Sequence, residues 1–126
     1  MRLFAQPMVA IVFGAFILCA ETCLHVESIL HPSTWIDLPI HDWVAGGFLV
    51  WSGVISRRDR VNGRPYQAAA WGFMLSLLLG AFLAHWEEWS LPQQTDEWIS
   101  EGAFVGILGG LLVLAGCGLV STLARR

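Results

Sequence analysis

The sequence predicts an all-α integral membrane protein, an up-down bundle of four helices in a single domain covering residues 1–126, and three observations carry that expectation. Hydrophobic residues make up 56% of the chain and charged residues 13%, more apolar side chain than a soluble domain of this length can remove from its own surface. Four apolar stretches approach the roughly 17 to 25 residues that a helix needs to cross a bilayer. The segments between them are short, polar and marked by Pro, Gly or Asn, so consecutive helices become antiparallel neighbours.

The first helix is expected over about 7–30. Its start, "MRLFAQPMVAIVFGAFILCA", has the single charge and apolar run of a signal peptide. The apolar character continues past Ala20, and "ILCAET" is a poor small-residue cleavage site, so the segment reads as a retained helix. The second, about 41–57, is the shortest and follows "HPSTWIDLP"; the third, about 66–88, follows "RRDRVNGRP", which reads as a loop. The fourth, about 98–123, follows "SLPQQTDE".

Charge orients these segments. All seven basic residues, Arg2, Arg57, Arg58, Arg60, Arg64, Arg125 and Arg126, fall on one side. The positive-inside rule makes that side cytoplasmic, with both termini inside and the chain in an inner (plasma) membrane. Nine of the ten acids, all but Asp59, and all four histidines lie in the outer third or the outer loops. Trp35, Trp43, Trp86, Trp89 and Trp98 form an outer aromatic belt. The outer face lacks the basic footprint of a nucleic-acid binder. There is no Ser nucleophile motif, glycine-rich phosphate loop or soluble catalytic domain, so any chemistry would be that of a bound ion, and no catalytic residue is assigned. Cys19 and Cys23 are one turn apart and Cys117 lies towards the other end of the bundle, which makes a disulfide framework a poor reading.

Helices in lipid approach one another through small residues spaced by four, because apolar burial alone does not drive their association. The third segment carries Ala68, Gly72, Ser76, Gly80 and Ala84, with Glu88 next in the series, and the fourth carries Gly102, Gly106 and Gly110. On the second, Gly46 and Gly53 share a face with Asp42, while Ala45 and Ser52 follow His41; on the first, Ala10 and Gly14 lead to Glu21 and His25. These stripes are expected to face neighbouring helices, and the ionisable groups at their ends to point inward.

An ionisable group at the centre of a membrane helix costs roughly 2.5 to 3.5 kcal/mol, so such groups normally pair or do work. Counted from Pro7 at 1.5 Å per residue, Glu21 stands about 21 Å along its helix, below the outer surface. Glu21, His25, His41, Asp42, His85 and Glu88 are therefore expected to meet in one pocket. Imidazole and carboxylate donors drawn from several helices suit a divalent transition metal, Zn or Fe in the first place and Cu or Mn as further fits. Di-iron bundles use Glu-x-x-His, and residues 85 to 88 read His-x-x-Glu, so the likeness is one of arrangement. A bis-histidine haem on His25 and His85 fits less well among several carboxylates in so small a chain. The rival readings are a proton-linked polar network without metal, and a subunit that docks a second copy or a larger membrane complex through its Gly stripes. His31 is read as a loop residue, and Glu27 and Glu87 as solvated. The inner half is expected to hold no polar relay, which counts against a transporter.

The topology gives the first test. With Cys19, Cys23 and Cys117 replaced by Ala, Ser33→Cys and Gln94→Cys should react with an impermeant maleimide from the periplasmic side; labelling from the cytoplasmic side alone would contradict the orientation.

Overall fold

The computed structural model describes residues 6–31, 39–89 and 100–124, and these are helical with no strand among them. Arg2, Trp35, Asp37, Asp96, Glu97, Trp98, Arg125 and Arg126 lie outside the described residues, as do the side chains of Glu88 and Glu101. Helix α1 runs Pro7–Leu24, α2 Val26–Leu30, α3 Ile40–Arg58, α4 Arg60–Trp89 and α5 Glu101–Leu123. By length and composition α1, α4 and α5 can each cross a membrane. α3 is the less apolar one, and it lies between α1 and α4, which pack on either side of it.

Pro7 opens α1 at a position where its missing N–H would have had no partner within the helix. The single first helix expected over 7–30 is interrupted at His25, whose backbone (φ −108°, ψ 19°) leaves the helical region before α2 resumes. The Glu21 carbonyl accepts from both the backbone N–H and the ring Nδ1 of His25, so the side chain shares the acceptor that ends α1. Arg57 and Arg58 close α3 and Asp42 begins it, each beside the end of the helix dipole that suits its charge.

The loop expected before the third helix is mostly helix. Asp59 alone joins α3 to α4. Its Oδ1 accepts from the backbone N–H groups of Val61 and Asn62, and its Oδ2 from the Asn62 amide. This is an N-cap; the bonds from Asn62, with that from Val61, hold the exposed Asp59 carboxyl below the usual carboxylate range. The tight reversal needs Gly63, where a Cβ would stand 2.5 Å from the Ser56 Cα. At the other end Ser100 caps α5, accepting from the Ala103 N–H.

The long helices pack in serial order, α1 on α3, α3 on α4 and α4 on α5, whereas α1 only brushes α4 and has no comparable interface with α5. Each pair is antiparallel. On the first seam a Cβ at Gly14 would lie 2.6 Å from the Gly46 carbonyl oxygen, and one at Gly53 would lie 2.7 Å from the Pro7 carbonyl oxygen. On the second, Trp51 stacks edge-on with Tyr66; on the third, Gly118 lies under the Trp71 ring and Gly109 beside Phe82. The core gathers Ala10, Phe13 and Ile17 with Leu49, Trp71, Met74, Leu78 and Ala115. Trp71 is its centre, 1% exposed and 5.3 Å from the ring of Phe13.

Two expectations about faces change. Ala45, Ser52, Gly46 and Gly53 on α3 and Ala10 and Gly14 on α1 do face a neighbour, all of them buried. The stripe on α4 does not: Ser76, Gly80 and Ala84 are exposed, and nothing lies within 4 Å of the Cβ position at Gly72, Gly80, Gly106 or Gly110. On α4 the packing face is instead Gln67, Ala70, Trp71, Met74 and Leu78. The arginine end also contains buried polar side chains where none was expected: Ser52, Ser56, Gln67, Ser121 and Thr122. Ser52 and Thr122 bond to carbonyls of their own helices, while Ser56 Oγ, Gln67 Nε2 and Ser121 Oγ have no hydrogen-bond partner among the described residues.

Gly14→Ala should therefore destabilise the protein by about 1–3 kcal/mol, the usual cost of forcing atoms into a packed contact. Gly80→Ala, entering open space, should leave thermal unfolding in detergent unchanged or slightly raised. Equal loss of stability in both variants would contradict the assignment of these faces.

Candidate functional site

The acid and histidine end of the α1–α3 pair holds the candidate site. The seam at Gly14 and Gly46 sets the level of everything beyond it, and two turns further on Glu21 of α1 comes opposite the first turn of α3. The Glu21 Oε2 lies 3.5 Å from the His25 Nδ1, with side chains 23% and 34% exposed. The same Nδ1 lies 3.0 Å from the Glu21 carbonyl oxygen, to which it donates. Asp42, half-buried at the start of α3, lies within electrostatic range of Glu21, His25 and His41. His41 itself is exposed beside it.

Thus the structure brings four of the six expected residues to one end of the α1–α3 seam. His85 belongs to a different seam. Its ring meets Phe104 of α5 edge-on at 4.7 Å, one turn from the place where Trp89 covers Gly102. The pairing of Ser56 with Gly63 and of Trp51 with Tyr66, carried along the helices, brings Asp42 level with residues 75 to 77 of α4. His85 is then about 12 to 15 Å further along, at 1.5 Å per residue. The side chain of Glu88, one turn beyond His85, lies outside the described residues. Among the described residues no three His, Cys, Asp or Glu side chains are grouped closely enough to hold a metal ion.

What this arrangement can do follows from its charges. It sets two carboxyl groups and one imidazole in a partly screened setting, where Coulomb interactions are stronger than in open water. The hydrogen bond to the Glu21 carbonyl engages one ring nitrogen of His25 and orients the ring. In the sequence, Glu21, His25, His41 and Asp42 are marked by small residues at helical spacing on the same faces, before the first two and after the last two. That spacing misses the polar layer of Ser56, Gln67 and Ser121 at the opposite end, whose only signal was the i, i+4 pair Ser52 and Ser56 on the face of Leu49. In comparison with known proteins, no family model, curated protein or solved structure matches the chain at a significant level.

Proposed function

We propose that this is a four-pass protein of the inner membrane, its long helices arranged as an up-down bundle with both termini cytoplasmic, and that its working part is a cation site formed by Glu21, His25 and Asp42 on the periplasmic side. The observation that supports this reading is the pairing of Glu21 with His25 on α1 opposite Asp42 on α3. The cation that this geometry favours is a proton, shared among the three groups and exchanged with water through the exposed His41. A divalent transition ion, Zn or Fe before Cu or Mn, is the second reading. It is favoured by the His25 ring, whose Nδ1 is held by a carbonyl in the manner of many metal-ligating imidazoles. In either reading the open faces at Gly72, Gly80, Gly106 and Gly110 give a second copy or a larger membrane complex a surface on which to pack.

One preparation, purified without chelators, separates these readings by elemental analysis and infrared titration of the carboxyl stretch. The proton reading expects little bound metal and a protonated-carboxyl band that Glu21→Gln or Asp42→Asn removes. The metal reading expects near-stoichiometric Zn or Fe, lost in His25→Ala and released as the pH falls, since imidazoles must be neutral and carboxylates ionised to ligate. A preparation with neither metal nor a titrating carboxyl band sensitive to these two substitutions would overturn the cation site.

A further inference from the structure

At the arginine end, away from the site just described, two cavities adjoin. The first, of about 300 Å³, is lined by Gln6, Pro7, Met8, Arg57 and Arg60. Among the described residues no carboxylate lines it. Asp59, the acid nearest in sequence, has both oxygens engaged in capping α4, and among the described residues no arginine forms an ion pair with a carboxylate. Arg57 instead points an Nη1 hydrogen at the Met8 sulfur, 3.3 Å away. A pocket with two guanidinium groups and no balancing acid attracts an anion, and arginine's fork suits phosphate in particular.

The second cavity, of about 530 Å³, begins at the same Met8. It is the cleft left where α1 and α5 fail to close, walled by Val9, Val12 and Phe16 on one side and Leu111 and Leu114 on the other, with Trp71 at its base. Its lining is wholly apolar. From Met8 to Phe16 it follows about 12 Å of helix, most of the roughly 15 Å depth of one leaflet's hydrocarbon. A basic pocket that shares the Met8 side chain as a wall with an apolar cleft along the helices has the polarity profile of a lipid: anionic head, hydrocarbon tail.

We infer that one anionic phospholipid of the leaflet at the arginine end binds this composite site, its phosphate between Arg57 and Arg60 and an acyl chain in the α1–α5 cleft. The positive-inside rule accounts for arginines at this end in general; it does not account for two of them around one cavity walled off from an apolar groove by the single side chain of Met8.

Native mass spectrometry of the protein released from phosphatidylcholine nanodiscs containing a minor fraction of phosphatidylglycerol tests this. One phosphatidylglycerol per chain should be retained in preference to phosphatidylcholine. The double variant Arg57→Gln, Arg60→Gln should weaken retention about thirtyfold, as two interfacial arginines would predict. Arg58→Gln, which removes the same kind of charge outside the cavity, should change it less than threefold. Val12→Trp, filling the cleft, should also weaken retention while leaving helicity intact, and millimolar inorganic phosphate should not compete. Equal retention of the two lipids by the parent protein would overturn the proposal without recourse to any variant. So would an Arg58→Gln effect as large as that of the double variant, indifference to Val12→Trp, or displacement by free phosphate.

Discussion

The approach of Gly14 to Gly46 is the contact on which the placement of the site depends. With no side chain on either residue, the backbones of α1 and α3 come close enough for a Cβ on one to fall within 2.6 Å of the other's carbonyl oxygen. In lipid, where surrounding tails are as apolar as the helices themselves, intimate packing of this kind is what holds helices together. Gly53 repeats it beside Pro7, and Leu18 packs over Gly46, so the two helices are fixed in register over most of their length. That register brings Glu21 and His25 beside Asp42. Slide α1 by one turn and the acids no longer share an imidazole.

Trp71 performs the corresponding task for the other half. It touches Phe13 of α1 on one side and lies against Gly118 of α5 on the other, so one side chain of α4 ties the first and last helices to the centre. Because α5 packs on α4 and has no comparable interface with α1, a cleft remains between them, floored by that same tryptophan. The groove at the arginine end and the acid–histidine group at the other are thus products of two different glycine contacts.

The long helices were legible because apolar runs bounded by Pro, Gly and charge have few other readings. What could not be read was which apolar face meets protein and which meets lipid, since both are apolar. On α1 and α3 the small residues do mark the seam. On α4 the same spacing marks an open face, and packing is carried by larger residues, Trp71, Met74 and Leu78. The early start of α4 was hidden because the cap at Asp59 and the close approach at Gly63 look, in sequence, like an ordinary polar turn. That error carried into the site. His85 is expected beside Asp42 because both stand at helix ends on the same side, whereas α4 has 30 residues against the 19 of α3 and so runs about 16 Å longer than its partner. Its C-terminal end consequently pairs with Phe104 and Gly102 of α5, clear of the α1–α3 seam.

The central claim is that the glycine seam of α1 and α3 brings the His25 ring and the Asp42 carboxyl together in the membrane. Solid-state NMR of the protein in lipid bilayers, with ¹⁵N on histidine and ¹³C on aspartate, measures that proximity directly. A cross-peak between the His25 ring nitrogen and the Asp42 carboxyl carbon is expected in the parent and should vanish in Gly46→Leu, whose side chain would enter the space of Leu18 and Gly14. Its absence from the parent, or its persistence in Gly46→Leu, would contradict the account.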